Sequence, residues 1–303
     1  MALDSDILVD RRRLKRSLNW WRAAAIIVAV ALVYAVVGRV GGLRGQDHIA
    51  RLQIDGIIMN DRDRLDALDA ITDDRHIRAL IVAIDSPGGT VVGGESLYRR
   101  LRSVAAKKPV VAVMDETAAS GGYMVALGAD QIFAHESTIT GSIGVLFQTA
   151  EVTELLAKIG VKPEEIKSSP LKAQPSPFEK MTPEVRRVTQ DVVNDIYDMF
   201  VKMTAERRNM APERARTLAD GRIYTGRQAV ENGLVDRIGG EDEAIGWLEK
   251  ERGLPEGLPV RDVKFRGGFA SFADRLDTLA RKTVFSERLT LDGLMALWHP
   301  SVN

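Results

Sequence analysis

RALIVAID, residues 78–85, is a continuous apolar run that ends in polar residues. A strand with one face in water alternates apolar and polar side chains, whereas a strand covered on both faces does not. The run therefore reads as a central strand of a parallel sheet, closed by SPGG (86–89). PVVAVM (109–114) and QIFA (131–134) read as further buried strands, and HIARLQIDGII (48–58) as a strand ahead of them. Helical spacing fills the gaps. RDRLDALDAIT (62–72) aligns Leu65, Leu68 and Ile71, and GGESLYRRLRSVAA (93–106) follows the second strand. Strands alternating with helices specify an α/β fold with a mainly parallel sheet.

The second half is more helical. Between residues 182 and 208, Val185, Val188, Val192, Val193, Ile196, Met199, Phe200 and Met203 fall on one helical face, a pattern of core packing. Thr182, Pro183 and Glu184 supply its start signal. Helices near 212–218 and 226–232, a strand-like LVDRI (234–238) and a helix over 241–251 come next. Pro255 and Pro259 punctuate the chain. The tail, 266–303, carries Phe269, Phe272, Leu276 and Leu279 and reads as helical, packing on a partner or a membrane surface.

The chain has 303 residues, 45% apolar and 28% charged, with zero formal net charge and no cysteine. A sizeable core is expected. Thiol chemistry and disulfides are excluded, and no basic excess suggests nucleic-acid binding. The N-terminus carries an address. Arg11, Arg12, Arg13, Lys15, Arg16 and Arg22 precede the uncharged stretch AAAIIVAVALVYAVV (23–37). Sixteen residues between Arg22 and Arg39 span roughly 24 Å as a helix, slightly short of a ~30 Å hydrocarbon core. Trp20, Trp21 and snorkelling arginines make up the difference. The stretch reads as an uncleaved anchor with its basic end in the cytoplasm; a cleaved signal peptide is the alternative. The expected layout is a cytoplasmic segment at 1–22, an anchor at 23–38, a glycine-rich tether at 39–47, a catalytic domain at 48–254 and an extension at 255–303. The protein is then a single-pass inner-membrane protein with its domain on the extracytoplasmic side.

The chemistry sits where strands end. In open α/β sheets, ligands bind at the carboxyl edge. One strand gives Asp85-Ser86-Pro87-Gly88-Gly89 and the next gives Thr117-Ala118-Ala119-Ser120-Gly121-Gly122. Glycines let backbone N–H groups approach a ligand closely. An N–H from the first loop and that of Gly121 together form an oxyanion hole, and Ser120 is the candidate nucleophile. Two plain tight turns are the structural alternative. Serine needs a base. His135 lies in HESTITGS, which reads as a turn, and Asp115 and Glu116 are weak bases at neutral pH. A lysine kept neutral by burial serves instead. Lys172, among Leu171, Ala173 and prolines in SSPLKAQPSPF (168–178), fits that environment, and Lys167 is the second choice.

DSPGG, TAASGGYMVALGAD (117–130), ITGSIGV (139–145), IKSSPLKAQPSPF and DGRIYTGRQAVENGLVD (220–236) occur in that order. The set resembles the signal peptide peptidase A family, the membrane-anchored Ser-Lys peptidases of the S49 group, across roughly residues 48–250. The resemblance implies a Clp protease/crotonase-like fold. It implies Ser120 as nucleophile, Lys172 as general base, Ser142 as the serine that orients the lysine, and Gly89 and Gly121 as oxyanion donors. The glycine-tyrosine often found before the family's lysine is missing here. No metal or cofactor is implied. Implied partners are released signal peptides and short apolar peptides as substrates, the membrane, and copies of the chain in a ring, an octamer in the family, with active sites shared between subunits. Two other readings use the same loops: a crotonase-like acyl-transfer enzyme without a nucleophile, and a non-catalytic membrane scaffold.

Overall fold

The computed structural model describes residues 20–22, 24–32, 45–264 and 294–297. The chain divides into two compact units, Met1–Asp47 and His48–Asn303. In the first, residues 20–22 and 24–32 are helical, and Trp20, Ile26, Ile27, Val30 and Leu32 are exposed. Among the described residues no helix is long and apolar enough to cross a membrane. Residue 23 and residues 33–38 of the expected anchor lie outside the described residues.

The second unit begins β1 (His48–Ile58), α1 (Arg62–Asp73), β2 (Ile77–Thr90), α2 (Val91–Ala105), β3 (Val110–Ala119), α3 (Gly121–Ala126) and β4 (Gln131–Ala134). β5 (Ile139–Gly141), β6 (Leu146–Phe147), α4 (Thr153–Lys158), α5 (Pro183–Arg207), α6 (Pro212–Leu218) and β7 (Ile223–Thr225) follow. α7 (Gly226–Asn232), β8 (Arg237–Ile238), α8 (Glu241–Arg252), β9 (Val260–Asp262) and β10 (Leu294–Leu297) complete it. This is a mixed α/β fold, a sheet with flanking helices. β9, β1, β2, β3, β4 and β8 pair in parallel, each with the next.

The unbroken apolar runs follow from the two-sided core. Along β2 and β3 successive side chains point to opposite faces. Leu80, Val82, Ile84, Val110, Ala112 and Met114 join a large cluster with Leu97, Leu101, Tyr123 and Phe200. Ile81, Val111 and Val113 meet Phe133, Trp247 and Leu248 of α8 on the other face. Neither face of the central strands is left to water, so neither carries polar residues.

Several elements differ from the sequence expectation. SPGG does not close β2, which continues through it to Thr90, and Thr90 then caps α2 through its hydroxyl, 3.1 Å from the Gly93 amide. LVDRI is a strand only at Arg237–Ile238. Leu234 and Val235 are buried in the turn that follows Gly233, whose φ of +87 ends α7. The apolar face of α5 is buried at its two ends, by Val185 at the start and Phe200, Val201 and Met203 toward the end, while Val192 between them is 49% exposed. The sheet extends past the boundary expected at residue 254, because β9 pairs with Ile49–Arg51. In the tail, Leu294–Leu297 is a strand rather than a helix. The other expected tail contacts lie outside the described residues.

Candidate active site

β2 and β3 run side by side in register from Leu80↔Val110 to Ile84↔Met114, and then separate. The next paired residues are Ser86 and Ala118, so β3 carries two extra residues there. Asp85 spans the irregularity by accepting the Thr117 amide at 3.1 Å. Two residues beyond Ala118 stands Ser120, and two beyond Ser86 stands Gly88.

Ser120 has φ 53 and ψ −114, a conformation costly for a residue with a side chain, which cores tolerate only when the surroundings enforce it. The surroundings do so here. Its amide donates to the Gly141 carbonyl at 2.8 Å, and its carbonyl accepts from Met124 at 2.9 Å, opening α3. All six residues of α3 are buried. The strand is thus turned sharply into a helix at one residue, and that residue is 1% exposed. Its hydroxyl makes no capping bond to the helix it precedes. Gly121 supplies the first amide of that helix, and Gly122 packs where a Cβ would lie 2.8 Å from the Ser86 carbonyl oxygen.

The end of β2 is locked from beneath. The buried Ser86 hydroxyl donates to the Gly56 carbonyl at 2.6 Å and accepts the Gly88 amide at 3.1 Å. Gly88 has φ +110, a left-handed value suited to glycine. Gly89 pairs with Ile58, and a Cβ on it would lie 1.9 Å from the Ile58 carbonyl oxygen. Gly89 therefore has a packing reason to be glycine apart from any role as a donor. Sequence reading missed Ser86 and Asp85. Their signal was present in DSPGG, where a short polar pair ends an apolar run.

Ser142 adjoins Ser120 across the sheet, because Ala119 pairs with Gly141. It too has positive φ, 49, and its amide donates to the Arg222 carbonyl at 2.8 Å. His135 is exposed beyond the end of β4, with its ring against Gly240 at the start of α8. Asp115 is half-buried in the extra β3 residues. Burial raises its carboxyl above the usual value, and His135 opposes the rise.

Lys172 is set apart from these groups. It stands in a turn of an exposed excursion, residues 151–180, which has no buried residue. Among the described residues, every hydrogen bond and ion pair of this excursion falls within it. Lys167 lies 2.9 Å from Glu165 and 2.8 Å from Glu179, with its side chain 12% exposed. Glu179 and then Glu165 hold its ammonium above the ordinary lysine range. That is the wrong direction for a general base, which must be neutral to accept a proton. Lys172 has no carboxylate partner among the described residues.

The single chain thus gathers Gly89, Ser120, Gly121 and Ser142 at the carboxyl edge of the sheet and leaves Lys172 on a separate, exposed segment. Comparison with known proteins identifies the family. Residues 102–255 match the profile of "Peptidase family S49". The chain is 41% identical over 208 residues to a Synechocystis sp. protein titled "Putative protease", spanning 68% of this chain and 75% of that one. It is 37% identical over 239 residues to the "Putative signal peptide peptidase SppA" of Enterococcus faecium, spanning 74% and 69%. It is 31% identical over 235 residues to the "Serine protease SPPA, chloroplastic" of Arabidopsis thaliana, spanning 76% of this chain and 34% of that one. The chain belongs to peptidase family S49, within the signal peptide peptidase A family, and is a serine-type peptidase.

Proposed function

We propose that the protein is a membrane-anchored endopeptidase that degrades released signal peptides and other short apolar peptides with a Ser-Lys dyad. The observation that carries this reading is Ser120: a buried serine held at positive φ where a central strand turns into a helix. Ser120 Oγ attacks the scissile carbonyl carbon. Lys172 Nζ takes the hydroxyl proton and passes it to the departing amine, leaving an acyl-enzyme. Amides of Gly89 and Gly121 hold the oxyanion, and Ser142 orients the lysine. Water then attacks the ester, with Lys172 again as base, and releases the new carboxylate.

Lys172 completes the site from a neighbouring subunit in a ring. Support comes from the excursion that bears it, which among the described residues bonds only within itself and exposes Leu155 at 61%, Ile159 at 66% and Ile166 at 98%. Apolar side chains so placed favour burial against another copy. A ring encloses the dyad, so short or unfolded chains enter and folded proteins do not. The anchor is supported by the apolar stretch at 23–37 and by the exposed apolar side chains of residues 26–32. The six basic residues before it support a domain outside the cytoplasm. The Clp/crotonase relationship of the fold belongs to the same proposal.

The test is hydrolysis of a signal-peptide substrate by the purified chain and by Ser120→Ala. Loss of turnover with unchanged unfolding and assembly is expected. Retained turnover would remove the nucleophile and favour acyl chemistry of the crotonase type.

A further inference from the structure

The parallel strands β1, β2, β3 and β9 all start on one edge of the sheet, opposite the edge that carries Ser120. On that amino edge lies a cavity of about 330 Å³ into which five cations converge: Arg75, Arg78, Lys107, Lys108 and Arg252. Among the described residues no carboxylate lines it, and Ile77, Pro109 and Leu254 supply its apolar wall. Helices α1, α2 and α8 end at this edge, and helix C-termini attract cations. That accounts for part of the cluster. Lys108 Nζ donates to the Ile71 carbonyl at 2.6 Å and to the Asp74 carbonyl, closing α1. Lys107 pairs with Asp73 at 3.1 Å, and Arg252 lies 3.8 Å from Asp130, but both carboxylates stand outside the cavity wall. The crowding of like charge is felt at Lys108. Burial holds its ammonium below the ordinary lysine range; Asp74 and Asp73 oppose this, and Lys107 and Arg78 add to it. The chain also enters this unit on the same edge. The amide of His48, first in β1, donates to the His76 carbonyl at 2.9 Å, and only residues 39–47 separate His48 from the proposed anchor.

We propose that this basic cavity binds the headgroups of anionic phospholipids and seats the amino edge of the sheet on the membrane surface. The chemistry is that of a lipid at an interface. The cations meet the phosphate, and Ile77, Pro109 and Leu254 beside them meet the glycerol and the first methylenes. An anionic leaflet attracts basic residues next to a membrane anchor, about fivefold for each one. Strand length then sets the height of the nucleophile. Val110 to Ser120 is ten steps along the chain at ~3.3 Å, so Ser120 stands up to about 33 Å from the amino edge. A peptide must leave the bilayer to reach it, which suits released peptides rather than embedded ones.

This inference rests on the proposed anchor for its geometry, and the test separates the two. The full-length chain is reconstituted into lipid discs of phosphatidylcholine alone or of an equal mixture with phosphatidylglycerol, and backbone hydrogen exchange is followed by mass spectrometry. Two engaged cations suffice for exchange about tenfold slower or more at residues 75–78 and 107–108 in the anionic discs. Residues 139–147, near Ser120, should exchange equally in both. The slowing should vanish in Arg75→Gln/Arg78→Gln/Lys107→Gln. It should also vanish for the parent in about 1 M NaCl, which covers the case in which the variant does not fold. Equal exchange in the two lipids, or slowing that survives both the substitutions and the salt, would overturn the inference. Inorganic phosphate that reproduces the slowing in neutral discs would make this a soluble-phosphate site and overturn the lipid assignment. Flotation with vesicles of the same two compositions tests the anchor. A chain that floats only with anionic vesicles, through the three basic residues, would keep the lipid site and sink the anchor. A chain that floats with neither would overturn both.

Discussion

Gly89→Ala tests whether the bent end of β2 is held against β1 by the lack of a side chain. An ideal Cβ at this position lies 1.9 Å from the Ile58 carbonyl oxygen and 2.6 Å from both the Ile58 carbonyl carbon and its amide nitrogen. All three are backbone atoms, so no rotamer change relieves the overlap. Ordinary heavy-atom contact is roughly 3.5 Å, and the strands must part by about 1.5 Å to reach it. Two pairings, Ile57↔Gly88 and Ile58↔Gly89, are lost or stretched. At ~1 kcal/mol per hydrogen bond that is about 2 kcal/mol. Ile58 is fully buried, and wetting half of its side chain adds about 1 kcal/mol. The expected destabilisation is therefore about 3 kcal/mol. Gly246→Ala is the opposite control. No heavy atom lies within 4 Å of a Cβ there, and the position is inside α8. Replacing glycine in a helix gains about 0.5–1 kcal/mol. Urea unfolding followed by tryptophan fluorescence measures both. A Gly89→Ala chain as stable as the parent would refute the packing argument.

Three further outcomes are expected. Arg208 donates to the Gly233 carbonyl at 2.8 Å and to Asp236 at 3.1 Å, and Asp236 also accepts the Ile132 amide at 2.8 Å. Asp236→Ala leaves a mostly buried guanidinium without its carboxylate and should cost about 3 kcal/mol in the same urea assay; a loss under about 0.5 kcal/mol would contradict this. Lys172→Arg should abolish peptide hydrolysis because a guanidinium does not give up its proton, whereas Lys167→Arg still pairs with Glu165 and Glu179 and should stay active. The reverse pattern would move the base to Lys167. Ser120→Ala and Lys172→Ala, each inactive, should regain partial activity when unfolded and refolded together, since some interfaces then pair an intact serine with an intact lysine. Mixed rings of verified composition that stay inactive would place the dyad within one chain.

Apolar periodicity made the central sheet legible. ALIVAI (79–84) and PVVAVM are apolar throughout because Ile81 and Val111 face α8 while Leu80 and Val110 face the larger core. Helix starts were legible where a side chain caps them, as Thr182 does for the Val185 amide at 3.2 Å. Ser120 was legible from its two following glycines, although the positive φ that marks it is a tertiary effect of the Gly141 carbonyl and buried α3. Other features depend on partners remote in sequence. Glycine signals a turn locally, so SPGG read as an end to β2. In the fold, the Ser86 hydroxyl and the neighbouring β1 keep those residues extended. The α5 face read as core throughout, but periodicity reports only which side is apolar and not how far the core reaches along it. The β10 pairing joins residues about two hundred positions apart, Met295 with Thr90, and four apolar residues have no helical or strand period of their own.

The central claim is that Ser120 is the nucleophile and that Lys172 activates it. The most direct measurement is covalent: the assembled full-length protein is treated with a fluorophosphonate at neutral pH, digested, and the modified residue located by mass spectrometry. The account predicts one adduct, on Ser120, that is absent in Ser120→Ala and forms far more slowly in Lys172→Ala, while both variants unfold at the same urea concentration as the parent. An adduct on another serine, or label that persists in Ser120→Ala, would contradict it.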